Sequence, residues 1–293
     1  MACYHPLNGY RAQKGGGIAF SHRDGWKDRP MQVACGQCLG CRLERQRSWA
    51  TRILHEASLH DENCFLTLTY DDTHLPEDRS LSKRDLQLFL KRLRKRQDGK
   101  IRYYAVGEYG GRYGRPHYHL CLFGYDPADK RYLSTRAGHK VFVSEEVQRT
   151  WPLGMHEVGS LTASSAKYVA GYVLKKVRNA PGCVTVSVVD SDSGEVFAVA
   201  PEFATMSRRP GIGRGWIEKF HEDIYPGAEV VVDGKPFKAP EYYTRLLAEK
   251  DPELVEGLKV ERRKRRKRVD ETPERLAVRE KVAEANLQAR TVF

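Results

Sequence analysis

Between residues 60 and 180 the chain reads strand, helix, strand, strand, helix, and no other feature constrains its fold as much. Cys64-Phe65-Leu66-Thr67-Leu68-Thr69-Tyr70 is a short apolar and β-branched run of strand length, followed by a turn at Asp71-Asp72. Ser82-x-x-Asp85 is a capping-box pattern with Asp in place of Glu. It opens a helix over 82–97 with Leu86, Phe89, Leu90 and Leu93 on one side and Lys83, Lys91, Arg94 and Lys95 on the other. Residues 101–108 and 117–123 read as two strands joined by the glycine-rich loop Gly110-Gly111-Arg112-Tyr113-Gly114. A short helix from Ser144-Glu145-Glu146, a strand at 154–162 and a helix at about 164–178 follow. This order predicts an α+β domain: a central antiparallel sheet flanked by helices, with the helices against one face.

The flanks read differently. Residues 1–60 are a Cys-rich N-terminal segment ending in a helix at 42–60, and residues 61–180 are the core. Residues 181–238 hold an accessory Val-rich hairpin, turning at Asp190-Ser191-Asp192-Ser193-Gly194, and a basic Gly/Arg loop at 205–216. Residues 239–293 form a charged, basic helical tail containing Glu261-Arg262-Arg263-Lys264-Arg265-Arg266-Lys267-Arg268. That run fits a solvated helix face or a DNA-backbone contact equally well.

Composition narrows the classes of function. Lys and Arg number 50 against 38 Asp and Glu, a net charge of +12 that favours a polyanionic partner. Hydrophobic residues make up 40%, enough for a core. No apolar run approaches the roughly 18 residues of a membrane span, and the first residues lack a secretory signal, so a cytoplasmic protein is expected.

Three groups of residues carry chemistry. In His117-Tyr118-His119 the imidazoles point to one face of a strand, where they can share a divalent cation. Pairing of the two strands brings Glu108 near them, and two His plus a carboxylate suit metal-assisted phosphoryl chemistry. Two surface histidines on an edge strand would give the same pattern. In the helix at 164–178, Ala170, Val173, Leu174 and Val177 make an apolar stripe, while Tyr168 and Tyr172 lie one turn apart on nearly the opposite side. They fit an interface or a nucleophile pair. A cation such as Lys175 or Lys176 favours the phenolate form of a tyrosine. Finally, Cys35, Cys38 and Cys41 fall within seven residues, and Cys3 can complete a four-thiolate site. Structural zinc is the favoured reading, beside reduced thiols or an iron–sulfur cluster.

Taken together, these motifs resemble the HUH endonucleases, the rolling-circle replication initiators. Phe65-Leu66-Thr67-Leu68-Thr69-Tyr70 resembles the first family motif. Gly114-Arg115-Pro116-His117-Tyr118-His119-Leu120 resembles the metal motif, and Val106-Gly107-Glu108 the segment supplying a further carboxylate. Tyr168-x-x-x-Tyr172-x-x-Lys175 resembles the two-tyrosine nucleophile motif. The likeness is greatest to initiators of microviruses, the gokushovirus-like single-stranded-DNA bacteriophages. The segments around Cys35–Arg45 and Arg208–Gly213 share it. Two positions depart from the pattern: Tyr118 replaces a smaller aliphatic residue, and Gly171 stands where some relatives carry Lys.

The resemblance implies a metal-dependent tyrosine nickase and strand transferase. Glu108, His117 and His119 would hold Mg²⁺ or Mn²⁺, and Tyr172 and Tyr168 would form 5′-phosphotyrosine esters with single-stranded origin DNA. Lys175 and Lys176 would assist, which favours Tyr172 for the first cut. Arg115, Arg208, Arg209 and Arg214 would contact DNA. The chain has no ATP-binding loop, so a host helicase and polymerase would be partners, in the host bacterial cytoplasm. The alternatives are a non-enzymatic zinc-containing DNA-binding protein and a relaxase or transposase of the same superfamily.

Overall fold

The computed structural model describes residues 3–15, 17–111, 113–175, 186–190, 192–225, 227–232, 234–264 and 271–291; side chains at 172–175, 235, 263, 290 and 291 are outside the description. The described chain divides into two units, one of residues 46–255 and one of residues 1–45 with 256–293.

In the larger unit a seven-stranded antiparallel sheet is built from β4 (Asn63–Tyr70), β5 (Arg102–Tyr109), β6 (Pro116–Phe123), β7 (Arg131–Arg136), β8 (His139–Val143), β9 (Gly154–Ser160) and β12 (Phe203–Met206). Their order across the sheet is β12-β5-β6-β4-β9-β8-β7. The fold is α+β, as the order of elements predicted. The hairpin β7–β8 and the edge strand β12 were not foreseen. β12 lies within the segment read as a basic loop, and it pairs Phe203 with Gly107 and Met206 with Tyr104. The Val-rich hairpin is present as β10 (Val186–Val189) and β11 (Val196–Val199).

The sheet is covered on both faces, not on one. Even-numbered residues of β4 and β6, among them Leu66, Leu68, Tyr118 and Leu120, pack with Leu86, Phe89, Leu90 and Leu93 of α2 (Lys83–Lys95) and with Val147 of α3 (Glu145–Thr150). On the other face, Tyr104, Val106, Cys121 and Phe123 pack with Ile53 of α1 (Leu39–Ala57) and with Ala166 and Val169 of α4 (Ala163–Lys175). Strand alternation sends successive side chains to opposite faces, so a strand whose two faces are both apolar needs two covering layers.

Tyr118 is explained by this arrangement. It points away from the histidines into the α2 side of the core and is fully buried. Its hydroxyl accepts the Ser82 backbone N–H at 2.8 Å and donates to the Ser82 carbonyl at 3.0 Å, tying β6 to the N-cap of α2. Gly171 is also explained. A Cβ there would lie 2.8 Å from Nε2 of Gln46, so α4 can approach α1 this closely only with glycine. The Gln46 amide donates to the Lys167 carbonyl at 2.9 Å in the same contact. The rest of this unit holds α5 (Arg214–Ile224), the hairpin β13 (Glu229–Val232) and β14 (Lys235–Lys238), and α6 (Glu241–Lys250).

The smaller unit contains a three-stranded sheet in the order β2-β1-β3, from β1 (Leu7–Ala12), β2 (Ile18–Ala19) and β3 (Gly25–Val33). It also contains α8 (Pro273–Thr291), whose Glu280 carboxylate is 2.7 Å from the His5 ring. α7 (Pro252–Lys264) begins in the larger unit; most of the basic run that continues it falls outside the described residues. Among the described residues no helix is long and apolar enough to cross a membrane.

Candidate functional site

The antiparallel register of β5 and β6 places Glu108 directly opposite His117 and Val106 opposite His119. β4 lies on the far side of β6, with Thr67 opposite His119 and Thr69 opposite His117. Glu108, His117, His119, Thr67 and Thr69 therefore share the face covered by α4. Glu108 and His119 are buried there, at 6% and 7% exposure, rather than lying on the open surface the sequence suggested.

Nε2–H of His119 donates to Oε1 of Glu108 at 2.8 Å. On the other edge of the ring, Nδ1 accepts from the Thr67 hydroxyl at 3.0 Å. His117 donates through Nδ1 to the Arg115 carbonyl at 2.6 Å, which leaves the lone pair on Nε2. Its ring runs parallel to that of His119, with centroids 6.4 Å apart and 7° between planes. Burial lowers the His117 pKa, so the ring stays neutral and able to ligate. A Cβ at Gly110 would sit 2.9 Å from Cε1 of His117, so the hairpin needs glycine where it passes this ring.

α4 brings Tyr168 across this pair. The Tyr168 ring meets His119 edge-on at 5.3 Å, and its hydroxyl donates to Oε1 of Glu108 at 3.5 Å. The helix carries Tyr172 one turn further on, but the side chains of Tyr172 and Lys175, and the whole of Lys176, lie outside the described residues. A cleft of about 720 Å³ opens over Glu157, His117, His119 and Tyr168, with Arg115 and Arg136 at its rim. Arg115 donates to the Tyr70 carbonyl at 3.0 Å and pairs with Asp72.

The donor set of two imidazoles and a carboxylate suits a divalent cation in kind. Two of the three donors also suit it in spacing. Ligands about 2.1 Å from an octahedral ion lie about 3 Å apart along an edge, close to the Glu108–His119 separation. The three donors do not all fall within 4.8 Å of one another; among the described residues, only the cysteines form such a cluster.

Those are Cys3, Cys35, Cys38 and Cys41, whose Sγ atoms all lie within 4.8 Å of each other. Cys3 Sγ is 3.6 Å from Cys35 Sγ and 3.8 Å from Cys38 Sγ. Tetrahedral Zn–S bonds of about 2.3 Å give S–S separations of about 3.8 Å. Backbone N–H groups of Cys35, Tyr4 and Cys38 donate to sulfur at 3.2–3.3 Å. Burial pushes the Cys38 thiol up, but the N–H donors of Cys41, Tyr4 and His5 outweigh it and bring the pKa down to about 6. The quartet is suited to hold a metal such as zinc.

Arg208, Arg209 and Arg214 do not join the cleft. β12 runs antiparallel to β5, so the chain beyond Met206 leaves by the Arg102 end, where the Arg102 guanidinium donates to the Pro210 carbonyl at 2.9 Å. Six residues at about 3.3 Å put that end about 20 Å from Glu108. Arg214 pairs with Glu218 at 2.8 Å. Sequence reasoning missed Phe65, Thr67, Arg136 and Glu157 as cleft residues. The odd-numbered positions of β4 were the available signal, but the placement of β9 beside β4 was not.

The match to known proteins is consistent across two comparisons. Residues 63–177 match a family model for the phage replication-associated protein ORF2. Replication-associated protein VP4 of Bdellovibrio phage phiMH2K is 35% identical over 265 residues, covering 86% of this chain and 79% of that protein. The chain belongs to this family of phage replication-associated proteins. Replication-associated protein ORF2 of Spiroplasma virus 4 is 31% identical, over 84% of this chain and 80% of its own. Replication-associated protein ORF4 of Chlamydia phage 1 is 31% identical over 73% of this chain and 53% of its own length. This is the gokushovirus-like kinship that the motifs implied. No solved structure matches the chain.

Proposed function

We propose that the protein initiates phage DNA replication by nicking single-stranded origin DNA with a tyrosine nucleophile and later rejoining the ends. One observation carries the reading: Tyr168, Glu108 and His119 meet in a cleft on the strand pair that also bears His117. Family membership supports the role in replication, and with it DNA as the partner.

Glu108, His117 and His119 are the candidate holders of Mg²⁺ or Mn²⁺, which when bound would supply positive charge to a scissile phosphate. The chain's own residues account for the rest. Glu108 accepts the hydrogen of the Tyr168 phenol and orients its oxygen. The phenolic oxygen forms a bond to phosphorus and the bond to the 3′ oxygen breaks. That oxygen takes up a proton and leaves as the 3′ hydroxyl, from which a host polymerase, with a host helicase, extends the strand. The 5′ end stays on the enzyme as a phosphotyrosine ester. Tyr172, with Lys175 and Lys176, is assigned the second transfer, and a returning 3′ hydroxyl displaces the tyrosine to close the circle. The cysteine quartet holds structural zinc. Residues 1–60, 181–238 and 239–293 are appendages to an endonuclease core at 61–180, and Arg115, Arg208, Arg209 and Arg214 contact the DNA backbone. The work is done in the host bacterial cytoplasm.

The test is incubation of the protein with single-stranded phage DNA spanning the origin, with Mn²⁺ or with chelator, followed by a denaturing gel. A DNA adduct that requires the cation and disappears in the Tyr168→Phe/Tyr172→Phe double variant is expected. Retention of the adduct in that variant, or binding without any adduct, overturns the reading.

A further inference from the structure

The cleft at Glu108 and His119 continues into a second hollow of about 250 Å³, sharing Phe65, Thr67, Glu157 and Tyr168 with it. Phe65 of β4 and Gly159 of β9 are directly paired, so they share the face that carries Thr67 and form the floor. Val141 of β8 flanks them, Ser164 and Tyr168 of α4 make one wall, and Lys140 stands at the rim.

Gly159 is what leaves the hollow open. A Cβ there would meet Phe65 Cδ1 at 3.9 Å and the Phe65 carbonyl at 4.0 Å, which is ordinary contact, and its φ is outside the left-handed region. Neither backbone conformation nor crowding calls for glycine at this position. An uncrowded glycine inside a strand marks a place where something else approaches the sheet. The walls show what kind of group that is. A flat aromatic ring and aliphatic carbons suit the face of a planar heterocycle, and an ammonium and a hydroxyl at the rim suit its hydrogen-bonding edge.

We propose that this hollow is a base pocket: it takes one base of single-stranded DNA, unstacked from its neighbours, next to the phosphate that lies at Glu108 and His119. The assignment of that phosphate rests on the nicking reading above; the pocket itself does not. Insertion of one base fixes the register of the strand over Tyr168 and reads the identity of the base through Lys140 and Ser164.

The test is fluorescence anisotropy with 5′-labelled dA, dC, dG and dT decamers on the full chain. The unsubstituted protein should prefer one decamer by at least about fivefold, the scale of a single stacked base. Gly159→Val, which fills the floor, should remove that preference while circular dichroism and the thermal midpoint stay in place. Ser164→Trp, which fills the hollow from an exposed helix position, should do the same and stands in if Gly159→Val does not fold. An unchanged ranking in the folded variant, or no ranking in the unsubstituted protein, overturns the pocket. The covalent-adduct assay separates the two readings. An adduct with an unchanged ranking leaves nicking intact and removes the pocket. A preference lost on filling, with no adduct from the unsubstituted protein, keeps the pocket and removes nicking.

Discussion

The hydroxyl of Thr67 lies 3.0 Å from Nδ1 of His119, on the edge of the ring away from Glu108. It fixes the orientation of the imidazole, and when Nε2 ligates a cation the same contact reverses, with Nδ1–H donating to Thr67. Partners of this kind tune a ligand as strongly as neighbours in the site itself. Thr67→Val should raise the Mn²⁺ concentration needed for adduct formation by about 10- to 100-fold and leave DNA affinity unchanged, and Thr67→Ser should restore it. Equal Mn²⁺ dependence in all three proteins would remove the role.

The lysine spacing favoured Tyr172 for the first cut, but the position of Tyr168 favours the opposite order. Its hydroxyl is already 3.5 Å from Glu108 Oε1. Tyr168→Phe should lower the single-turnover adduct by about 10²-fold or more, since no other nucleophile is set there. Tyr172→Phe should still cut once and fail to close circles. Peptide mapping of the DNA-linked residue checks the order, and linkage to Tyr172 alone in the first turnover would reverse it.

The cysteine quartet should hold about one zinc per chain. Cys38→Ser should reduce the zinc measured by atomic emission and lower the thermal midpoint, because a metal closed by four thiolates contributes to folding. Iron in place of zinc, with a visible absorbance band, or no metal at all, would contradict this.

Glu56 is buried between three elements. It pairs with Arg102 of β5, and its Oε2 accepts the Gly213 backbone N–H at 2.6 Å. Removing one partner of a buried pair leaves the other charge uncompensated, at a cost of about 3–5 kcal/mol. Glu56→Ala should lose about that much in urea denaturation. A loss below about 1 kcal/mol would show that water reaches Arg102.

His55 stacks on Trp216 at 3.5 Å and lies 3.0 Å from the Tyr243 hydroxyl. Burial lowers its pKa from 6.5 to about 4. Below pH 6.5 the unfolded chain gains a proton here that the folded chain does not take up until about pH 4. Its contribution is therefore full above pH 6.5 and is lost as the pH falls toward 4, with a slope of at most about 1.4 kcal/mol per pH unit. His117 and His156, also lowered by burial, act in the same sense. The difference between the unsubstituted protein and His55→Phe, measured by urea denaturation from about pH 7 to 4.5, isolates the His55 part; parallel curves would refute it.

What the sequence alone determined were the features that repeat over a few residues. Strand alternation put His117 and His119 on one face and Tyr118 on the other, and hairpin pairing set Glu108 beside them. The capping Ser82 began α2, helical spacing put Tyr168 and Tyr172 one turn apart, and cysteine spacing grouped three of the four thiols. Tertiary structure decided what depends on pairings between distant segments. It placed β9 beside β4, so that Phe65, Thr67, Gly159 and Glu157 came together on one face. It added β12 at the edge, which carried Arg208 and Arg209 to the end of the sheet away from the cleft. It covered both faces of the sheet, which buried Glu108 and His119. A two-residue or 3.6-residue period is written locally, whereas strand order is chosen by the total apolar surface that can be buried, and no single segment carries that information.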